Sequence, residues 1–424
     1  MVPLAVGIDI GTSGSRAVAM RPDFSIAASA AAPLDRFGAN GRDPAVWWAA
    51  VEATLQELLS QIDRDAVRAI AVDGTSGTLL PIDSAGRPLA EPLMYNDKVP
   101  DAAILAAIGG AAPEASAAHG ATSGLAKTLW FQRLPDIHAV LHQADWIAGQ
   151  LSGRFDVSDE NNGLKTGYDA EARRWPGWIA ATGMRMELLP AVVRPGSVTG
   201  RLTAAAAGLF GLPRDVAVVA GTTDGCASFL ATGAVAAGDG VTALGSSLTI
   251  KILSDRPIFA PRYGIYSHRL GDAWLAGGAS NTGGKVLAQH FSLARIIELS
   301  AAIDPATETG LDYYPLGSPG ERFPIADPAL QPRLLPRPRS DADYLKAMLE
   351  GIAAVEALGY RRLAELGAPR LTSVRSVGGG AANAAWTAIR QRKLGVEFRA
   401  ALSDEAAAGT ARLALKGASE AGLL

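Results

Sequence analysis

The segment Ala5-Val6-Gly7-Ile8-Asp9-Ile10-Gly11-Thr12-Ser13-Gly14-Ser15-Arg16 constrains this chain more than any other. Residues 4 to 10 read as a buried strand, yet a carboxylate stands inside it. Two glycines and two hydroxyls follow, and a second apolar run, Ala17 to Met20, comes directly after. A strand that turns on Gly-Thr-Ser-Gly and returns is a hairpin. Its Asp9 needs a partner, because an unpaired carboxylate away from water is costly. The turn aims successive backbone N–H groups, with the Thr12 and Ser13 hydroxyls, into one small volume, and such a nest suits a phosphate. Asp9 at its mouth can hold a hydrated Mg²⁺ against the same phosphates, since that ion takes one or two carboxylates and keeps its waters. The plainer alternative is a hairpin whose aspartate caps its own turn.

The device recurs. Gly240 to Leu253, GVTALGSSLTIKIL, is again apolar strand, Gly-Ser-Ser turn, apolar strand. Gly245, Ser246 and Ser247 form a second nest, and two nests can clamp an extended triphosphate. Between the two in sequence, VAVVAGTTDG puts Asp224 at the end of a strand. A carboxylate there, near a transferring phosphoryl group, is suited to orient an alcohol and take its proton; a turn aspartate before Gly225 is the other reading. The two units suggest an internal duplication, one opening each half. With 424 residues the chain is too long for a single core and right for two domains, so the boundary is placed near Gly238, giving domains 1–238 and 239–424.

Elsewhere strands and helices alternate, which argues for an α/β layered fold. Asp43-Pro44 caps a helical pattern from residue 44 to 62, and Val67 to Gly74 is a buried strand. A long helix over DADYLKAMLEGIAAVEALGYRRLAEL precedes the strand VRSVGGG and a further helix, NAAWTAIRQRKLG. Residues 313–340, rich in Pro and Gly, read as an irregular surface loop. Neither GxxxxGK[ST] nor a strand followed by GxGxxG occurs, which excludes the P-loop and the dinucleotide fingerprint. A net charge of −3 gives no case for nucleic acid or an anionic membrane as a partner. One cysteine, Cys226, excludes an intrachain disulfide and fits a reducing compartment. No apolar run reaches a bilayer span and no signal peptide is apparent, so a soluble cytoplasmic protein is expected, monomer or homodimer.

GIDIGTSGSR, AVDGTSGTLL, YNDKVPD, ADWIAGQLSGRF, VAGTTDG, ALGSS, MLEGIA and GGGAANAAW occur in that order. Together they resemble the FGGY carbohydrate kinases, of the actin/hexokinase/Hsp70 superfamily, over nearly the whole chain. The resemblance implies two actin-like (ribonuclease H-like) α/β domains with a cleft between them, ATP and Mg²⁺ as cofactors, and a ketopentose as substrate. It implies Asp9 at the metal, Gly11, Thr12, Ser13 and Arg16 at the nucleotide phosphates, and Asp224 as general base in contact with the sugar. Gly245 and Ser246 match the second phosphate loop. Gly379, Gly380 and Asn383, in GGGAAN, match the adenosine site, and Gly283 and Gly284 in GASNTGGK match a segment lining the same pocket. Asp73, Thr75 and Ser76 stand where relatives touch the carbonyl end of the sugar, and Asp97 matches an aromatic-x-Asp element that accepts a hydroxyl. Two departures bear on the sugar. The xylulokinase-like GQMHG is replaced by DGTSG, so its His is missing, and the usual Pro before Lys-x-x-Trp is absent from TSGLAKTLW. Short members with such a loop resemble the D-ribulokinase-like branch, so D-ribulose is the expected substrate and D-xylulose the alternative, with a nucleotide-gated binding protein of the actin-like fold as the reading from outside the enzymes.

His138 and His142 are spaced i, i+4 on an expected helix but lack the Glu of HExxH, and are read as structural. Trp47, Trp48, Trp175 and Trp178 are read as core or interface anchors, and Cys226 as a small buried residue.

Overall fold

The computed structural model describes residues 2–424. They form two compact units. The first runs to Ala231 and takes in His268–Gly271 and Glu405–Leu424; the second holds Thr232–Ser267 and Asp272–Asp404.

In the first unit, β1 (Leu4–Ile10) is antiparallel to β2 (Gly14–Met20), and β2 to β3 (Ile26–Pro33). On its other side β1 runs parallel to β4 (Val67–Gly74). Two short pairs follow in the chain, β5 (Leu79–Ile82) with β6 (Ala139–His142) and β7 (Val157–Asp159) with β8 (Ala191–Val193). Then β9 (Val198–Arg201) lies beside β10 (Ala217–Thr223), which joins β4 in parallel. The main sheet therefore has the order β3-β2-β1-β4-β10-β9.

Every residue of β1 is buried, as expected of a central strand covered on both faces. One face packs on the helix Pro44–Leu59, where Trp47, Leu55 and Leu58 join Val6, Ile8 and Ile10. Asp43 starts that helix by accepting the N–H of Ala45, with Pro44 in the first turn. The other face is covered by the helix Ala406–Glu420, whose Ala407, Ala411 and Ala414 lie on Ala5, Ala69 and Ala71. Small residues make this approach close. A Cβ on Gly7 would overlap the backbone of Ala407 and Ala411, and one on Gly409 the carbonyl of Ala227. A boundary near Gly238 would leave residues 405–424 with the second half; instead their helix completes the layer beneath the first sheet and touches the helix Asp224–Ala231.

The second unit repeats the plan. β11 (Asp239–Leu244) is antiparallel to β12 (Leu248–Ser254); the short β13 (His268–Leu270) belongs to the first unit; β14 (Ala273–Ala279) pairs with β12. On the other side β11 is parallel to β15 (Ser373–Val377), and β15 to β16 (Glu397–Arg399). The order β14-β12-β11-β15-β16 reproduces β3-β2-β1-β4-β10, so the repeated Gly-hydroxyl turns mark a repeated sheet. Its core rests on the helix Asp341–Glu365, with Met348, Leu349 and Ile352 against Ile250 and Ile252. Within it Arg390 is fully enclosed and grips Glu356 through two bonds of 2.6 and 2.8 Å.

The histidine spacing does not lie on a helix. β6 ends at His142 and the helix Gln143–Ser152 begins after it, so His138 and His142 share no helical face. Cys226 and Trp47 are buried, as read.

Candidate active site

In the first unit the register of the parallel strands brings the acidic residues together. Asp9 on β1 and Asp73 on β4 are direct partners, so their side chains leave the same face at the carboxyl ends of both strands. Thr223, last residue of β10, pairs with Gly74, and Asp224 follows it as the first residue of its helix. Asp224 Oδ1 accepts the N–H of Gly225 at 2.7 Å. Burial raises the pKa of Asp9, and the charges of Asp224 and Glu405 add to it, while the hydrogen bond to Asp73 and the Arg16 guanidinium pull it down. Burial, then the charge of Asp9, pushes Asp73 well above the usual carboxylate range. The hydroxyl of Thr410, which donates to Oδ2, makes part of that burial tolerable.

Asp73 thus differs from its expected role. It has no exposed surface to offer a sugar and instead stands behind Asp9. Only its register partner across the sheet reveals this, and that partner lies 64 positions away in the sequence. Arg16 reaches Asp9 at 3.5 Å and Glu405 at 3.4 Å. The turn between β1 and β2 is closed by the Gly11 N–H on the Gly14 carbonyl at 3.0 Å, leaving Thr12 and Ser13 exposed at its tip.

Among the described residues no three or more His, Cys, Asp or Glu side chains enclose a metal-sized space. A hydrated Mg²⁺ needs no such cage. The fit rests on the donor set: two neighbouring carboxylates whose pKa values burial raises, Asp73 further through the charge of Asp9 and Asp9 through those of Asp224 and Glu405, the situation a divalent cation relieves.

The expected sugar-side residues lie on two loops of the same unit. Thr75 is buried and donates its N–H to Gln143 Oε1 at 3.2 Å. Ser76 is half-buried, and its Oγ, like Gln143 Nε2, is enclosed without a hydrogen-bond partner. Two such orphaned groups flanking one loop invite a polar ligand. Asp97 takes both guanidinium nitrogens of Arg42, at 2.7 and 3.1 Å, and the N–H of Met94 at 2.8 Å, so its oxygens are largely engaged within the protein. Arg42, Gln143 and Lys127 also hold these loops, and the sequence alone does not single them out. A glutamine directly after the short strand Ala139–His142 is the one local signal, and it is a faint one.

In the second unit a cavity of about 660 Å³ opens among the helix Leu293–Ala301, Leu244 at the end of β11, and the segment from Gly379 to Trp386. Its volume suits an adenosine-sized ligand. Gly284, Gly379, Gly380 and Asn383 line it. Leu293 and Ile297, at 74% and 65% exposed, are apolar side chains left uncovered among its lining. Asn383 caps the following helix by accepting the N–H of Trp386 and donates to Ser300 Oγ at 2.8 Å, which ties the two walls together. Gly245 and Ser246 are exposed at the β11–β12 turn, and their carbonyls accept from Gly284 N at 2.8 Å and Lys285 N at 3.1 Å. Gly283, at φ +138°, fits because a Cβ would lie 2.8 Å from the Ser246 carbonyl oxygen. All seven residues expected at the nucleotide in this half therefore gather at one end of its sheet.

Residues 4–106 and 124–231 match the N-terminal domain of the FGGY family of carbohydrate kinases, and residues 234–418 match its C-terminal domain. The chain belongs to the FGGY family of carbohydrate kinases: it is a sugar kinase of the two-domain actin-like fold, and ATP is its phosphoryl donor. A xylulose kinase of Escherichia coli is 25% identical over 96% of this chain and 89% of its own length. Among solved structures, a "xyloylose kinase" from Brucella ovis has a TM-score of 0.85 at 24% identity, covering 98% of this chain and 91% of the other. A gluconate kinase from Lactobacillus acidophilus has a TM-score of 0.82 at 17% identity, covering 100% and 90%. Among the described residues no helix is long and apolar enough to cross a membrane.

Proposed function

We propose that this kinase transfers the γ-phosphoryl group of ATP to the terminal primary hydroxyl of a ketopentose, D-ribulose foremost. The observation that carries the reading is the convergence of Asp9, Asp73 and Asp224 at the carboxyl ends of β1, β4 and β10, next to the Thr75–Gly77 loop. Phosphoryl transfer needs little covalent help from protein; it needs positioning and charge neutralisation. Asp224 accepts the proton of the attacking hydroxyl, whose oxygen bonds to the γ-phosphorus as the bond to the β-phosphate oxygen breaks and ADP leaves. The Gly11–Ser13 and Gly245–Ser246 turns donate N–H and hydroxyl groups to the phosphates, with Arg16 adding charge. Asp9 would hold a hydrated Mg²⁺, with Asp73 orienting it from behind; when bound, the ion neutralises phosphate charge. The apolar cavity beside Gly379, Gly380 and Asn383 takes adenosine, with Gly283 and Gly284 shaping its floor. Thr75, Ser76 and Gln143 meet the sugar, and Asp97 fixes the neighbouring loop.

D-ribulose is placed first because the loop reads DGTSG and lacks the histidine of the xylulokinase-like GQMHG. D-xylulose is the second reading, favoured by the similarity to the xylulose kinase of E. coli. A cytoplasmic location is part of the proposal and rests on the single, buried Cys226. ADP release with D-ribulose, D-xylulose, L-ribulose and glycerol tests the assignment. The reading requires kcat/KM to be highest for D-ribulose. A higher value for D-xylulose selects the second reading, and ATP hydrolysis indifferent to every sugar rejects both.

A further inference from the structure

Lys127 is the one lysine of the first unit with no exposed surface, and phosphoryl transfer makes no use of it. It sits on the helix Gly124–Phe131, in the Lys-x-x-Trp element. Its Nζ donates to the carbonyl of Gly77 at 2.7 Å and to that of Met94 at 2.6 Å. These carbonyls belong to different loops. Gly77, at φ +83°, closes the Thr75–Gly77 loop after β4; Met94 opens the segment that ends in Asp97. A second stitch lies beside the first, where Tyr95 N donates to Thr78 Oγ1 at 3.2 Å. Asp97 in turn is held by Arg42 and by the Met94 N–H.

Enclosing an ammonium group is expensive, and an apolar side chain of similar length would fill the same space at lower cost. Among the described residues no carboxylate is within hydrogen-bonding reach to offset it. The charged and titratable groups that face it are Asp97, which attracts it and is itself bound to Arg42, and His142, which burial keeps neutral with a pKa near 3. What the ammonium alone supplies is several donors on one atom, able to bind two carbonyls at once. We propose that Lys127 is a positioning residue: it fixes the separation of the 75–77 and 94–97 loops and so sets sugar affinity without touching the sugar. This rests on the reading that those loops border the sugar.

The test compares the full chain with Lys127→Met, which keeps the length and removes the donors. Two readouts are taken: hydrogen exchange of peptides spanning 74–79 and 93–98 without ligand, and KM for sugar and ATP with kcat. Exchange in both loops should rise by about tenfold or more, and sugar KM by about 10- to 100-fold, the scale of a small misplacement of binding groups, with ATP KM within about twofold. Unchanged exchange in either loop overturns the proposal, as does a parallel rise in both KM values. If wild type phosphorylates no sugar, the substrate reading fails alone, and the exchange arm still decides the clamp. Should the variant not fold, wild type serves. Burial lowers the Lys127 pKa to about 8, so losing the charge above that pH weakens both bonds. Sugar KM should then climb with pH while ATP KM stays level, and a flat sugar KM overturns the proposal.

Discussion

An alanine at Gly380 would carry its methyl 2.5 Å from Cζ3 of Trp386 and 2.8 Å from Cβ of Leu244. Carbons do not approach so closely, so either the indole or the end of β11 must move. Both line the cavity assigned to adenosine. Overpacking of this kind costs about 1–3 kcal/mol. For a unit of this size, that lowers Tm by roughly 2–10 °C. Gly379 is the control, because a Cβ there meets nothing within 4 Å and points into open space. Gly379→Ala should leave Tm within about 1 °C of wild type, since surface substitutions of this kind cost little. Nucleotide binding separates the two effects again. Gly380→Ala acts by moving the wall and Gly379→Ala by intruding on the ligand, and each should weaken ADP by about tenfold, equivalent to 1.4 kcal/mol. Thermal melts and ADP calorimetry on both variants make the measurement, with sugar KM expected to stay unchanged. Full ADP affinity in both variants would refute the placement of the nucleotide. Equal losses of Tm would refute the packing argument.

Asp145 and Asp159 are both buried beside a cavity of about 20 Å³. Burial, then the charge of Asp159, holds the Asp145 carboxyl well above the usual range, and burial raises Asp159 to about 6. A raised carboxyl pKa stabilises below the ordinary value of 3.8, and that contribution is lost as pH rises through the folded value. Asp145→Asn should therefore raise the melting temperature at pH 7.5, with no gain left near pH 4; equal melting shifts at both pH values would contradict this. Arg390→Met strands the enclosed Glu356 carboxylate and should cost about 3–5 kcal/mol in denaturant unfolding, so a loss below about 1 kcal/mol would show the pair to be dispensable.

The local devices were legible in the sequence, and the tertiary ones were not. Gly-hydroxyl turns between apolar runs announce a hairpin by chain chemistry alone, and both hairpins, β1–β2 and β11–β12, formed where they read. Asp43 before Pro44 started its helix for the same reason. The role of Asp73 depends on which strand β1 pairs with and in what register, information that no single segment carries. The return of residues 405–424 to the first unit depends on a glycine in β1 receiving an alanine-rich helix, a match visible only when both surfaces are known. Lys127 and Gln143 are ordinary polar residues in their own segments and acquire meaning from loops 50 and 68 positions away. The i, i+4 histidines erred in the other direction, because spacing cannot tell a strand end from a helix when the apolar run is short.

Asp224→Ala is the measurement closest to the centre of the account, made as sugar-dependent ADP release alongside ADP affinity. Loss of the proton acceptor should lower kcat by a factor of about 10² or more, while ADP binds as in wild type. Sugar phosphorylation at the wild-type rate, or nucleotide affinity that falls together with turnover, would contradict the role given to Asp224.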